Sequence, residues 1–368
     1  MRELPAVLDP ADPSPAVQTA LRDWLALQHA FALRPQQVVP CLREHGDPRR
    51  ALAEQRGRAP DAASLERQLA QLRADRAVAL PLASSAFPPG LARLDDAPLL
   101  LLVQGDLEAL RAPCVAIVGS RAPSIHGRVV AERFAAEIAR AGACVVSGLA
   151  IGIDSVAHRA ALAAGGRTLA VQACGPDRVY PARHRELAGQ VAARGALLSE
   201  LPPGTPALRP HFPFRNRLIS ALALCVLVVE ARLRSGSLVT ARHAADQGID
   251  VWAVPGPLGT PVCEGTNRLL RDGAHVALEP DDLLRPLGLE APPHARVQRE
   301  ARTAEAPPGG VARVLRALQG APATVDELAQ RLGRAPEALA PELLELELAG
   351  RIGTDRDGRL RALPARPR

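Results

Sequence analysis

The chain has 368 residues, of which 47% are apolar and only 2% aromatic, and it carries a formal net charge of +6. Such a length allows two or three domains at about 150 residues each, with cores built mainly from Ala, Leu and Val. All fixed positive side chains are arginine, no lysine being present, and a basic balance suits an acidic partner, nucleic acid first. A general bias toward Arg, Ala and Pro accounts for much of that charge, so its distribution carries more weight than its sum. Six cysteines at 41, 114, 144, 174, 225 and 263 form no C-x-x-C pair and read as reduced core residues, without disulfides or zinc. Met1–Pro10 lacks the apolar run of a signal peptide, and the longest apolar stretch, Leu218–Val229, falls short of the ~20 residues a membrane helix needs. A cytoplasmic protein with no membrane span is expected.

Residues 1–16 are rich in Pro and Asp and are expected to be loose. From Val17 to about Leu72 the apolar spacing is helical, with turns at Arg34-Pro35 and His45–Pro48, which predicts a small helical domain over 1–72 of the SAM-like or helix-hairpin-helix kind. Its acids and arginines alternate and its hairpin lacks a G-x-G, favouring a structural or protein-contact role. A connecting layer follows over 73–113, with one strand at Pro98–Val103. An α/β domain then runs to residue 287. Strands are predicted at Cys114–Val118, Cys144–Ser147, Thr168–Gln172, Leu197–Ser199, Leu224–Val229 and Asp250–Val254, with helices over 127–141, 153–164, 183–194, 214–222 and 237–247. Regular alternation of strand and helix means a doubly wound, mostly parallel sheet covered on both faces, a Rossmann-like fold. Residues 288–310 read as a linker. Three helices and a hairpin around Asp357-Gly358 predict a winged helix over 311–368.

Ligands of such sheets sit outside the carboxyl ends of the strands. There, strand Cys114–Val118 breaks at Gly119-Ser120-Arg121, where free backbone N–H groups and the Arg121 fork favour phosphate. Between Glu200 and Glu230 no acid occurs, while Arg209, Arg215 and Arg217 interleave with His211, Phe212 and Phe214. Similar acid-free stretches hold Arg121 with Arg128, and Arg232 with Arg234 and Arg242. Arginine beside phenylalanine is a common design for unpaired strands, since Arg grips phosphate and the ring stacks on a base.

Eight motifs occur in order: VGSR-x-x-S-x-x-G, SGLA-x-GID-x-x-AH, G-x-D-x-x-YP, SE-x-PPGT, FP-x-RNR, VVEA-x-x-RSGSL-x-TA, AVPG and GTN-x-x-L-x-x-GA. Together, over about Pro81 to Ala277, they resemble the DNA-processing protein A (DprA, or Smf) family. That resemblance implies a Rossmann-like domain that binds single-stranded DNA in natural transformation, protects incoming strands, forms a homodimer through this domain and helps load RecA recombinase. Single-strand-binding protein is a further partner it suggests, and no cofactor or catalytic residue is implied. Carried over by position, Gly119, Ser120, Arg121, Arg215 and Arg217 would hold phosphate, with Arg178 a weaker candidate. Phe212 or Phe214 would contact a base or shape its pocket. Asn216, Gly236, Ser237 and Thr240 belong to the same binding loops. Gly148, Asp154, Glu200, Glu230 and Asn267 would support the pocket. His126, His184 and Ala221 depart from the family's usual residues without removing a phosphate contact.

An alternative is a nucleotide phosphoribohydrolase on a related fold, but its PGG-x-GT-x-x-E loop has no match; RSGSLVTA, the nearest segment, lacks the PGG and the glutamate. His158 and Cys174 read as structural, with no base–nucleophile pair visible. The expected recognition helix of the winged helix, Pro336–Ala349, carries Glu337, Glu342, Glu345 and Glu347 and no Arg, which would repel a duplex. A protein-contact or regulatory role is therefore expected for it, with Arg351, Arg356, Arg359 and Arg361 leaving contact through the wing open.

Overall fold

The computed structural model describes residues 6–289, 310–355 and 357–363. The expected linker at 288–310 lies, but for its ends, outside them, as does Arg356. The chain divides into two compact units, one of residues 1–122 with 131–290, the other of 291–368 with 123–130.

The first unit opens with helices α1 (Pro15–Phe31), α2 (Val39–His45), α3 (Pro48–Glu54) and α4 (Ala62–Ala74). Asp47 and Asp61 cap α3 and α4 by accepting backbone N–H bonds, the ordinary use of Asp at a helix start. Nine strands then form one sheet: β1 (Ala77–Pro81), β2 (Leu100–Gly105), β3 (Cys114–Val118), β4 (Cys144–Ser147), β5 (Thr168–Val171), β6 (Ala196–Ser199), β7 (Cys225–Val228), β8 (Asp250–Ala253) and β9 (His275–Val276). Their spatial order is β1-β2-β6-β5-β4-β3-β7-β8-β9. From β6 to β9 every pairing is parallel, whereas β2 joins β6, and β1 joins β2, antiparallel. Strands β3 to β7 are buried at every residue, as continuous Val, Ala, Leu and Cys runs require when helices cover both faces.

After β1 comes the one-turn helix α5 (Pro89–Ala92). Helices α6 (Ile125–Arg140), α7 (Ile153–Ala163), α8 (Arg185–Arg194), α9 (His211–Ala221), α10 (Gly236–Asp246), α11 (Glu264–Arg271) and α12 (Pro280–Leu284) complete the winding. The six strands expected between 114 and 254 are all present within a residue or two. Strands β1 and β9 lie outside the strands expected from the sequence: AVALP is apolar but short, with one β-branched residue and a terminal Pro, and β9 is only two exposed residues at the sheet edge.

Side chains alternate along β2. Leu101 and Val103 join the core beneath α9 and α10, while Leu100 and Leu102 turn to the other face and pack with Trp24, Leu25 and Leu69 of the amino-terminal helices. Gln28 of α1 donates to the carbonyls of Leu100 (3.1 Å) and Glu200 (2.9 Å). The helices over 15–74 thus form part of the sheet's covering layer, and the boundary expected at residue 72 is no break in packing. Nor are all of residues 6–16 loose: Leu8 is fully buried and bridges Ala79 through two backbone hydrogen bonds of 2.9 and 3.0 Å.

Within the second unit, α13 (Gly310–Gly320), α14 (Val325–Leu332) and α15 (Ala340–Leu348) precede a hairpin of β10 (Ile352–Thr354) and β11 (Leu360–Ala362). The long helix expected over 336–349 is broken into a 3-10 turn at Pro336–Leu339 and α15. Pro341 sits in the first turn of α15, where it starts a helix more readily than it continues one. Glu342 pairs with Arg334 at 2.7 Å, Arg359 with Glu327 at 2.8 Å and Arg361 with Asp355 at 3.4 Å. Two of the wing arginines are therefore already neutralised within the unit.

Candidate nucleic-acid interface

From β3 the chain steps through β4, β5 and β6 to one side, then returns so that β7 pairs on the other side of β3. Loops leaving β3 and β7 diverge there and open a crevice at the carboxyl edge. Gly119 lies in it. A Cβ on Gly119 would come within 2.7 Å of the Ile153 side chain and 3.1 Å of the Glu230 carbonyl, so only glycine allows this approach. The Ile153 N–H donates to the Ser120 carbonyl (3.1 Å), fixing the loop to the start of α7. Ser120 is nearly buried, and its Oγ accepts from the Ala122 N–H at 3.1 Å. Arg121 is exposed.

Two loops and the first turn of α9 bring an aromatic pair and a cation together. The Arg121 guanidinium lies over the ring of Phe212, 5.4 Å from its centroid. Phe212, in the first turn of α9, meets Tyr180 edge-on at 5.4 Å, and Tyr180 is 51% exposed. Tyr180 is not among the site residues expected from the sequence. It is the chain's one tyrosine, and in a sequence with five Phe that scarcity was itself a usable signal. Arg209, two residues before α9, is exposed as well, as are Arg232 and Arg234 in the loop leading to α10. Arg178 is half-exposed and pairs with Asp177 at 3.3 Å, while Asp177 also accepts from the Gly204 N–H at 2.8 Å.

Arg215 and Arg217 are not where phosphate contact requires them. Both lie on α9 and both are at least 96% buried; the Arg217 N–H groups and Nη1 of Arg215 reach the protein's own acceptors, while Nε of Arg215 has no partner among the described residues. Arg215 donates to the carbonyls of Gly148 (2.9 Å) and Val171, and a Cβ on Gly148 would strike its guanidinium at 2.6 Å. Burial pushes the Arg215 pKa down to about 10, with the Asp154 carboxylate opposing the shift. Asp154 in turn accepts from the N–H groups of Gly148 (3.1 Å) and Ala150 (3.3 Å). Arg217 binds Glu200 in two bonds of 2.9 and 2.7 Å and reaches both the carboxylate (2.7 Å) and the carbonyl (2.8 Å) of Asp96. Burial works against its charge, yet Glu200 and Asp96 outweigh it and raise its pKa above the usual value. The half-buried Phe214 ring lies 4.0 Å from the Arg217 guanidinium and so belongs to this internal strut.

The remaining expected residues brace the loops. Asn216 donates to the Gly236 carbonyl (3.2 Å), tying α9 to the start of α10. Ser235 caps α10, accepting from the Ser237 N–H (3.3 Å), and its hydroxyl meets that of Ser237 at 2.6 Å. Asn267 clamps Gly256 by donating to its carbonyl (2.9 Å) and accepting from its N–H (3.1 Å). Thr240 and Glu230 are buried beneath these loops.

Neither candidate for chemistry faces solvent. Cys174 is buried, and burial pushes its thiol up to about 11, away from the reactive thiolate. His158 is fully buried with Nδ1 2.7 Å from the Thr168 hydroxyl, and burial pushes its pKa down to about 3. A histidine held neutral in the fold but free to charge when unfolded leaves the native state fully stable above pH ~6.5 and weakens it as pH falls toward 3. We expect unfolding between pH 6 and 4 to take up about one proton on account of His158, with that uptake absent in His158→Gln; denaturant titrations across this range measure it.

No helix among the described residues is long and apolar enough to cross a membrane. The DNA recombination-mediator protein A family matches residues 79–288, and the DprA winged helix domain matches residues 298–358. Protein Smf of Escherichia coli is 40% identical over 305 residues, covering 81% of each chain. The X-ray structure of DprA from Streptococcus pneumoniae superposes with a TM-score of 0.62 at 32% identity, over 71% of this chain and 95% of that one. DprA from Helicobacter pylori, whose structure was described for its single-stranded DNA binding mode, superposes with a TM-score of 0.52 at 32% identity, over 55% of this chain and 92% of that one. With a Rossmann-like sheet, a glycine crevice at its switch point and these matches along most of its length, the chain belongs to the DNA recombination-mediator protein A (DprA) family.

Proposed function

We propose that this chain binds single-stranded DNA along the carboxyl edge of its sheet, as a binding protein and not an enzyme. The observation that carries the reading is the Arg121–Phe212–Tyr180 cluster, a cation and two partly exposed rings at the topological switch point. Arg121 grips a phosphate while Phe212 and Tyr180 offer faces to unpaired bases, and a duplex, whose bases are already stacked, gains nothing from those rings. Arg209, Arg232 and Arg234 extend the positive edge along the strand. Arg215 and Arg217 hold the crevice in shape from beneath. The burial of His158 and Cys174 supports a role without chemistry. Family membership supports the wider reading, in which the protein shields incoming strands during transformation, works as a homodimer through the sheet unit, and passes DNA from single-strand-binding protein to RecA recombinase.

Binding of oligo-dT and of a matched duplex, compared across a salt series, tests this. The single strand should be preferred, and its affinity should fall with salt by about 0.7 log units per log unit for each phosphate engaged. Equal affinity for the duplex would overturn the reading.

A further inference from the structure

A cavity of about 720 Å³ lies between the end of α1, the 3-10 turn at Pro35–Gln37 and the loop joining α3 to α4. Three arginines line it, Arg34, Arg56 and Arg58, together with His29. Three other arginines of these helices are paired with acids: Arg22 with Glu66, Arg49 with Asp23 and Arg50 with Glu54. The three cavity arginines have no acid partner among the described residues, although all are exposed and Asp61 lines the same space. The Asp61 carboxylate is engaged instead with the Ser64 N–H at 2.6 Å, capping α4.

The loop that presents Arg56 and Arg58 is held in place. Gly57 donates to the Leu52 carbonyl (2.8 Å), and a Cβ there would collide with the Phe31 ring, so the loop presses directly on α1. Arg56 is kept at φ 50°, a left-handed conformation that arginine rarely adopts and that the anchored loop enforces. Arg34 rests its guanidinium over Phe31, 6.0 Å from the ring centroid. Ala30, Ala59 and Pro60 add apolar lining. Three exposed guanidinium groups without an acid partner among the described residues, carried on an anchored backbone around a partly apolar space of this size, match a phosphate with its attached nucleoside.

We propose that this cavity is a second anion site, which binds the phosphate of a nucleotide unit, either free or as a link in a single strand. It lies on the amino-terminal helices and gives them a binding role where the sequence favoured contact or scaffolding. The strand form rests on the reading of the chain as a single-strand-binding protein; the free-nucleotide form does not.

The test compares the full chain with its Arg34→Gln/Arg58→Gln variant, leaving Arg56 in its constrained position. Both altered residues are exposed and have no acid partner among the described residues, so the variant should melt with the parent. Two probes are titrated, dTMP by calorimetry and a 20-residue oligo-dT across a salt series. A shallower oligo-dT salt dependence in the variant, by about 0.7 for each phosphate released, supports the strand form. Loss of dTMP binding with oligo-dT unchanged supports the free-nucleotide form. Identical behaviour of parent and variant toward both probes overturns the proposal. Should the parent fail to bind oligo-dT at all, the function proposed above falls, and the dTMP titration alone decides the cavity.

Discussion

Replacing Arg217 with alanine should destabilise the protein by about 3–5 kcal/mol, the range found when one member of a buried ion pair is removed. The cost comes less from the lost attraction than from what is left behind. Glu200 is 97% buried and would keep its carboxylate without the two N–H donors that now satisfy it, and the Asp96 carbonyl would lose its bond as well. Phe214 would lose the guanidinium that lies 4.0 Å from its ring. Urea unfolding of the variant, with Arg121→Ala as a surface comparison, measures this. A stability loss within 0.5 kcal/mol, the usual range for surface substitutions, would mean that the pair does not hold the crevice together.

Arg121→Ala should do the reverse, leaving stability nearly unchanged and weakening single-strand binding. A hydrogen bond to a charged group is worth about 1.5–3 kcal/mol, so loss of one phosphate fork predicts roughly 10- to 100-fold weaker affinity. Fluorescence anisotropy with labelled oligo-dT gives this number directly. Phe212→Ala should share part of the loss, since stacking of a base on an aromatic ring contributes about 1–3 kcal/mol. Unchanged affinity in Arg121→Ala would move the strand off this edge of the sheet. Taken together, the Arg217 and Arg121 variants separate shaping the crevice from touching the ligand.

Exposure separates these arginines where local sequence does not. Arg121, Arg215 and Arg217 occupy equivalent-looking places, each in an acid-free stretch near a strand end, and all three were expected to meet phosphate. Arg121 follows a strand directly on a glycine turn, so its side chain leaves the sheet edge into solvent. Arg215 and Arg217 lie within a helix that packs onto the sheet, and the helix phase turns both inward. Their acceptors are the carbonyls of Gly148 and Val171 and the acids Glu200 and Asp96, of which Asp96 is 121 residues away in sequence. Local pattern carries no information on partners at that distance. The pairing of Tyr180 with Phe212 is invisible to local pattern for the same reason, since one lies in the loop after β5 and the other in the first turn of α9.

The sequence by itself determined the parallel core. Runs such as CVAIV and CVVS, each followed by a glycine break and a helical pattern, admit one local structure, and their regular alternation admits essentially one class of fold. It also determined the winged-helix elements, whose apolar spacing and turn residues are local signals. Only the tertiary structure decided that the amino-terminal helices cover β2 as part of one core, that β1 pairs with both β2 and Leu8, and which arginines reach solvent. Secondary structure follows from near neighbours along the chain. Burial, and with it the division between side chains that reach solvent and side chains that brace the loops, follows from which surfaces meet when distant segments pack.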